Sequence, residues 1–160
     1  MNSLLLWIHM VAGILWIGGL FFLVWGVYPA IRILPIFQQQ QFFLQIMKWS
    51  HKGFALAGIT VLLTGFLMGI NGPVNGLTML FTTYYGKWWI TSLFIGLCTL
   101  IWGNFIGYRA FIKVLSRDII WKMADKGYPR LLYFSLLQVA FISSIEGLGF
   151  LMLIWLMVII

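Results

Sequence analysis

Acidic residues are almost missing from this chain: three Asp and Glu stand against ten Lys and Arg in 160 residues, and only 8% of the sequence is charged. A soluble domain carries about a quarter charged residues, so this chain cannot cover a water-facing surface with polar groups. That excludes an ordinary cytosolic enzyme, a disordered tail and a nucleic-acid-binding module, although in a soluble protein a net charge of +7 would suggest nucleic acid. The single cysteine, Cys98, excludes an internal disulfide and any multi-cysteine metal site. It lies in an apolar run and reads as packing. The C-x-x-C-H, Walker, H-E-x-x-H and nucleophile-elbow signatures are lacking. No predicted helix carries two histidines, and there is no M-x-x-x-M pair. The start, Met1-Asn2-Ser3, lacks the basic residues of a cleavable signal peptide, and none is expected.

What is abundant is apolar chain, 62% of the residues. No charge precedes Arg32, none lies between Lys52 and Lys87 or between Lys87 and Arg109, and only Glu146 follows Arg130. A helix needs roughly 20 apolar residues to cross the hydrocarbon core. The gaps predict four spans in a single domain, at about 4–28, 53–71, 87–108 and 131–158. Pro29 and Pro35 are expected to punctuate the exit of the first. Asn71-Gly72-Pro73 and Asn75-Gly76 predict a turn between the second and third, and Lys126-Gly127-Tyr128-Pro129-Arg130 marks the start of the fourth. The polar-aromatic segment 38–51 reads as a cytoplasmic, interfacial extension of helix two. Arg32, Lys48 and Lys52 fall on one loop, and Arg109, Lys113, Arg117, Lys122, Lys126 and Arg130 on the other loop of the same side. The positive-inside rule places both in the cytoplasm. The expected fold is an all-α integral membrane four-helix bundle, N-out/C-out, in a bacterial inner (cytoplasmic) membrane. Trp49, Trp88, Trp89 and Trp121 fall near predicted boundaries, where tryptophans anchor helices at the interface.

Glycines recur with helical spacing. Gly58, Gly65 and Gly69 share a face with His51 and Ala55; Gly96, Gly103 and Gly107 share another; His9, Gly13, Trp16 and Leu20 share a third. Small residues let membrane helices approach closely, and a glycine beside a histidine also admits a flat cofactor. Glycine faces on several helices predict a homodimer or a larger membrane complex.

Few polar residues lie within the spans, and such residues are often functional. His9 reads either as a hydrogen-bonding contact to a neighbouring helix or as a ligand of heme iron or copper. His51 reads as an interfacial residue or a ligand; Met47, four residues earlier, shares its face and could hold Cu(I) with it. From the predicted spans the two histidines differ in depth by roughly 25 Å at helical rise, so one iron or copper ion cannot bridge them. Glu146, the only acid in a span, is expected to be protonated or paired. Its candidate roles are an interhelical hydrogen bond, a proton relay, cation coordination or contact with a quinone. Lys87 reads as a snorkelling lysine or as the partner of a heme propionate or of Glu146.

The segment WIHMVAGILWIGGLFFLVWGVYPAIR, with His9, Trp16, Gly18, Gly19 and Pro29, resembles the first helix of the copper-resistance D (CopD-like) membrane domain. Val61-Leu62-Leu63-Thr64-Gly65 is similar to the second-helix pattern L-x-x-T-G of that family, with valine in the leucine place. Tyr85-Gly86-Lys87 and Glu146-Gly147-Leu148-Gly149 resemble its third and fourth helices. The size and helix count are also similar to the HemJ-type protoporphyrinogen oxidase group, whose R-L-F-V-Y-H motif is missing here. The resemblance implies copper handling or heme-linked redox chemistry. Three functions are therefore expected as alternatives. The first is a heme-b redox or electron-transfer protein with His9 as axial ligand, Gly13 giving clearance, Trp16 packing the ring, Lys87 on a propionate, and His51 with Glu146 at a second heme, quinone or proton path. The second is copper transport or delivery through His9 with Met10, and Met47 with His51. The third is a non-catalytic subunit or assembly factor of a respiratory complex.

Overall fold

The computed structural model describes residues 3–71 and 77–159, which are helical apart from short turns and contain no strand. Residues 72–76, on which most of the expected Asn-Gly-Pro turn falls, lie outside the described residues. The helices are α1 (Ser3–Ile31), α2 (Ile36–Ile70), α3 (Leu77–Thr82), α4 (Tyr84–Leu115), α5 (Asp118–Asp125) and α6 (Arg130–Ile159). Helices α1, α2, α4 and α6 are long and apolar enough to cross a membrane. The short turn at 32–35 makes α1 and α2 antiparallel neighbours, and large apolar side chains such as Ile14, Trp25, Leu63, Phe94 and Phe141 cover the outside.

Each long helix outruns its predicted span. Helix α2 has 35 residues, about 52 Å at helical rise against roughly 30 Å of hydrocarbon, so the polar-aromatic segment 38–51 continues the helix without a break. Pro29 does not end α1, contrary to expectation; the helix runs on to Ile31. A widened π-helical turn at Leu23–Val27 precedes the proline, where its ring would otherwise crowd the carbonyl four residues back. Pro35 does act as a stop, because it holds Leu34 out of the α region and starts α2 as N-cap.

Helix α5 was not foreseen. It is a short amphipathic helix that buries Ile120, Trp121 and Ala124 against Ile31, Phe43, Leu115, Leu132 and Val139. Its placement is set by two donors that satisfy the last carbonyls of α4. Buried Gln40 of α2 donates to the Leu115 carbonyl at 2.7 Å and to Asp118 Oδ1 at 2.9 Å. Trp121 Nε1 donates to the Val114 carbonyl at 3.2 Å. Trp121 is thus a 2% exposed core residue and not an interfacial anchor. The same correction applies to Trp89, which is buried, whereas Trp49 is exposed as expected. Helix α5 ends in a Schellman turn: Tyr128 N–H bonds the Met123 carbonyl, Gly127 N–H bonds that of Ala124, and Gly127 sits at φ +92°.

The bundle is assembled by rings seated on glycines. The Trp16 indole of α1 lies over Gly58 of α2, the His9 imidazole over Gly65, and the Trp89 indole of α4 over Gly69. Trp16 also meets Phe150 of α6 edge-on, with ring centroids 5.0 Å apart, so α1 and α6 touch through it. Between α4 and α6, Thr99 packs on Gly149 and Glu146 on Gly103. A Cβ at Gly58 would stand 2.6 Å from Leu100 Cδ1 and 2.9 Å from the Trp16 ring, whereas a Cβ at Gly53 would meet nothing within 4 Å. Gly53→Ala should therefore stabilise the protein by up to about 1 kcal/mol through helix propensity. Gly58→Ala should destabilise it by roughly 1–3 kcal/mol through overpacking. Thermal unfolding in detergent, followed by circular dichroism, checks the opposite signs.

Candidate functional site

Two polar places stand out, and both are built on α2. The first is His9. Its Nδ1 lies 2.8 Å from Thr64 Oγ1. The Thr64 hydroxyl proton is already committed to its own helix, donated to the carbonyls of Thr60 at 2.6 Å and Val61 at 3.1 Å. With that proton on the Thr60 carbonyl, the nearest acceptor, Nδ1–H is assigned as the donor to Thr64. The neutral ring then carries its lone pair on Nε2. The tautomer follows from the hydrogen-bond count. Gly65 supplies the seat: its Cβ position is 3.2 Å from His9 Cε1. The carbonyl of Gly65 accepts from Trp89 Nε1 at 3.1 Å. One turn along α1, a Cβ at Gly13 would meet nothing within 4 Å.

The second place is a cavity of about 520 Å³ in the half of the bundle nearer the α1–α2 turn. It separates two hydrophobic clusters. One holds Trp16, Val61 and Phe150, and the other Phe43, Trp121 and Val139. All four long helices contribute to its wall, which includes Met47, His51, Asn104, Tyr108, Ser143 and Glu146. The His51 ring stacks on Tyr108 at 3.6 Å between centroids and 9° between planes. Glu146 is 7% exposed. Its carboxylate fills the notch left by Gly103, and its Oε2 lies 3.7 Å from a Cβ built at Gly107. These glycines sit in a widened π-helical turn, Trp102–Gly107, a distortion often found at functional sites. Trp102 Nε1 ties the same turn to α6 through the Ile142 carbonyl at 3.0 Å. Among the described residues no protein group hydrogen-bonds the Glu146 carboxylate and none forms an ion pair with it.

His51 lies 13 residues before Thr64 on one unbroken helix, about 20 Å along the axis. The two histidines therefore belong to separate places, as expected. Glu146 joins His51 and Met47; Trp16 forms the cavity wall on the His9 side. Lys87 is exposed and sits two residues before Trp89, at the level of His9. It lies 16 residues from Gly103, about 24 Å along α4, so it cannot pair with Glu146, and that expectation is corrected. Met10 is 49% exposed while His9 is half-buried, so the two do not act as a pair on one face. Among the described residues no group of three or more His, Cys, Asp or Glu could hold a metal ion. Cys98 is exposed on the outer surface of α4 and is not a packing residue.

Sequence reasoning missed Tyr108 and Asn104, although Tyr108 directly follows the second glycine of the Gly103–Gly107 pair. It singled out Thr64-Gly65 only as a pattern; the structure gives the pair a physical task, seating and orienting His9.

No family model, curated protein or solved structure matches the chain.

The His9–Thr64 contact is measurable. In a double-mutant cycle of His9→Phe and Thr64→Val, the coupling should fall at roughly 0.6–1.7 kcal/mol, the span seen for hydrogen bonds inside membrane bundles. Thr64→Ser should keep the wild-type unfolding midpoint. A coupling indistinguishable from zero would remove the tautomer argument.

Proposed function

We propose that the protein is an integral membrane redox protein carrying heme b, with His9 as the axial ligand. The observation that carries this reading is the imidazole held at 2.8 Å from the Thr64 hydroxyl; with Nδ1–H donated there, the Nε2 lone pair is kept for a metal. Metal-ligating histidines are held in this way by an outer partner. The residues present fit the group on one side. Gly65 backs the ring and a Cβ at Gly13 would meet nothing within 4 Å; a flat macrocycle would lie on this side of α1, and exposed Lys87 would meet a propionate. One chain offers one imidazole at this level, so a second imidazole would come from another copy of the chain, as in the expected homodimer. Bound heme b supplies a one-electron couple at its iron; the protein's part is to hold the imidazole in one tautomer.

Orientation belongs to the same proposal. Arg32, Arg117, Lys122, Lys126 and Arg130 are exposed at the end formed by the α1–α2 turn, α5 and the start of α6, whereas Lys87 is the charge near the other end. The positive-inside rule then puts the α5 end in the cytoplasm and His9 in the outer leaflet of a bacterial cytoplasmic membrane.

A reduced-minus-oxidised visible spectrum of the detergent-purified chain, with iron and copper measured on the same sample, tests the cofactor. Sharp Soret and α bands with stoichiometric iron are expected. His9→Ala should lose most of the heme, and Thr64→Val should weaken its retention by roughly 10–100-fold. Bound copper without iron would move the assignment to copper handling. A colourless, metal-free protein would leave a structural subunit.

Orientation has its own check in a Cys98→Ser background. Ser116→Cys should react with a membrane-impermeant maleimide only after the cytoplasmic face is opened, and Thr83→Cys should react in intact cells. The reverse pattern would invert the topology.

A further inference from the structure

The geometry points to a second, separate ligand site: the cavity between the two hydrophobic clusters is a binding site for a lipid-soluble quinone or its quinol. It rests on the cavity alone and stands whether or not His9 holds heme.

Its size, about 520 Å³, falls in the range of roughly 300–1,000 Å³ usual for small-molecule sites. The wall reaches the outside of the bundle between α1 and α6, because Trp25 and Leu137 both line the cavity and are 78% and 52% exposed. An occupant therefore has an approach from the lipid between those helices.

Two features narrow its chemistry. The first is the pair of proton-exchanging groups on the wall. Glu146 is buried with no protein partner, in a place where an unpaired carboxyl is costly. His51 is fixed face to face with Tyr108, and Tyr108 directly follows Gly107, against which Glu146 packs. A quinone oxygen accepts from a protonated carboxyl or imidazole, and a quinol hydroxyl donates to their deprotonated forms. A ring with oxygens at opposite ends can serve both groups. A fatty acid carries oxygens at one end only, and a plain acyl chain needs neither group. The second feature is the aromatic lining, in which Trp16, Phe54, Tyr108 and Phe111 present rings to the space. Offset and edge-to-face stacking on a flat ligand adds to its burial.

The test uses the full chain in detergent with decylubiquinone as the probe and tryptophan fluorescence quenching as the readout, repeated on the His9→Ala protein to separate it from heme. Saturable quenching is expected. Glu146→Ala should weaken binding at least tenfold, with Glu146→Gln falling between. Ala140→Trp, at an exposed position on the cavity wall, should weaken it tenfold or more while the unfolding midpoint stays near wild type. A loss in either Glu146→Ala or Ala140→Trp places the ring in the cavity. Unsaturable quenching, or unchanged affinity in both variants, means partition into the micelle and overturns the site. Equal competition by dodecanol means that an alkyl chain, not a quinone ring, is recognised, and overturns the ligand class.

Discussion

Ring-on-glycine contact along one face of α2 is the constraint on which the rest of the molecule depends. In a bilayer the lipid tails are as apolar as the helix surfaces, so association comes from close packing and polar contacts. Gly58, Gly65 and Gly69 let Trp16, His9 and Trp89 lie directly on the α2 backbone. Two neighbours, α1 and α4, are thereby registered against one helix at three levels. The middle level is the chemical one: Gly65 supports the imidazole with its missing side chain and holds the Trp89 indole with its carbonyl. The packing stripe and the oriented histidine are one device.

The contact between α4 and α6 repeats the principle with a polar guest. Gly103 makes room for a carboxylate in place of a ring. Packing α6 against α4 forces Glu146 into the bundle and presents it to the cavity beside His51. The carboxyl gains no hydrogen bond from the protein in return, which sets it apart from Gln40, Thr64 and Trp121, each held by backbone or side-chain partners.

Much of the fold was legible because charge is so scarce. The gaps before Arg32, between Lys52 and Lys87, and after Arg130 locate four spans without reference to propensity. Glycine periodicity identified the packing face of α2, since a 100° step is intrinsic to a regular helix; on α4 the widened turn at Trp102–Gly107 interrupts that step, although Gly96 and Gly103 still meet neighbouring helices. Which ring meets which glycine was not legible, because relative height between helices is absent from any single-helix pattern. The pairing of Lys87 with Glu146 failed for that reason. Trp89 and Trp121 were misread because a boundary position does not say whether an indole faces lipid or a neighbour. Helix α5 is eight residues long and lies among basic residues, where orientation signals mask its apolar side. His9 was legible as a residue needing a reason; its tautomer was not, since it depends on where another helix places a hydroxyl.

The widened turn at Trp102–Gly107 makes α4 two helices in different phase. One turn bonded i→i+5 holds one residue more than its α-helical neighbours. Beyond it, every side chain is rotated by about 100° from where an uninterrupted helix would place it. Tyr108, Phe111 and Val114 owe their inward positions to that offset. An otherwise equivalent helix lacking the extra residue would align with this one only across a one-residue gap, with the gap inside the apolar run and not in a loop. Comparisons that forbid gaps within membrane spans would then match the wrong faces over the whole second half of α4, the half that carries Tyr108.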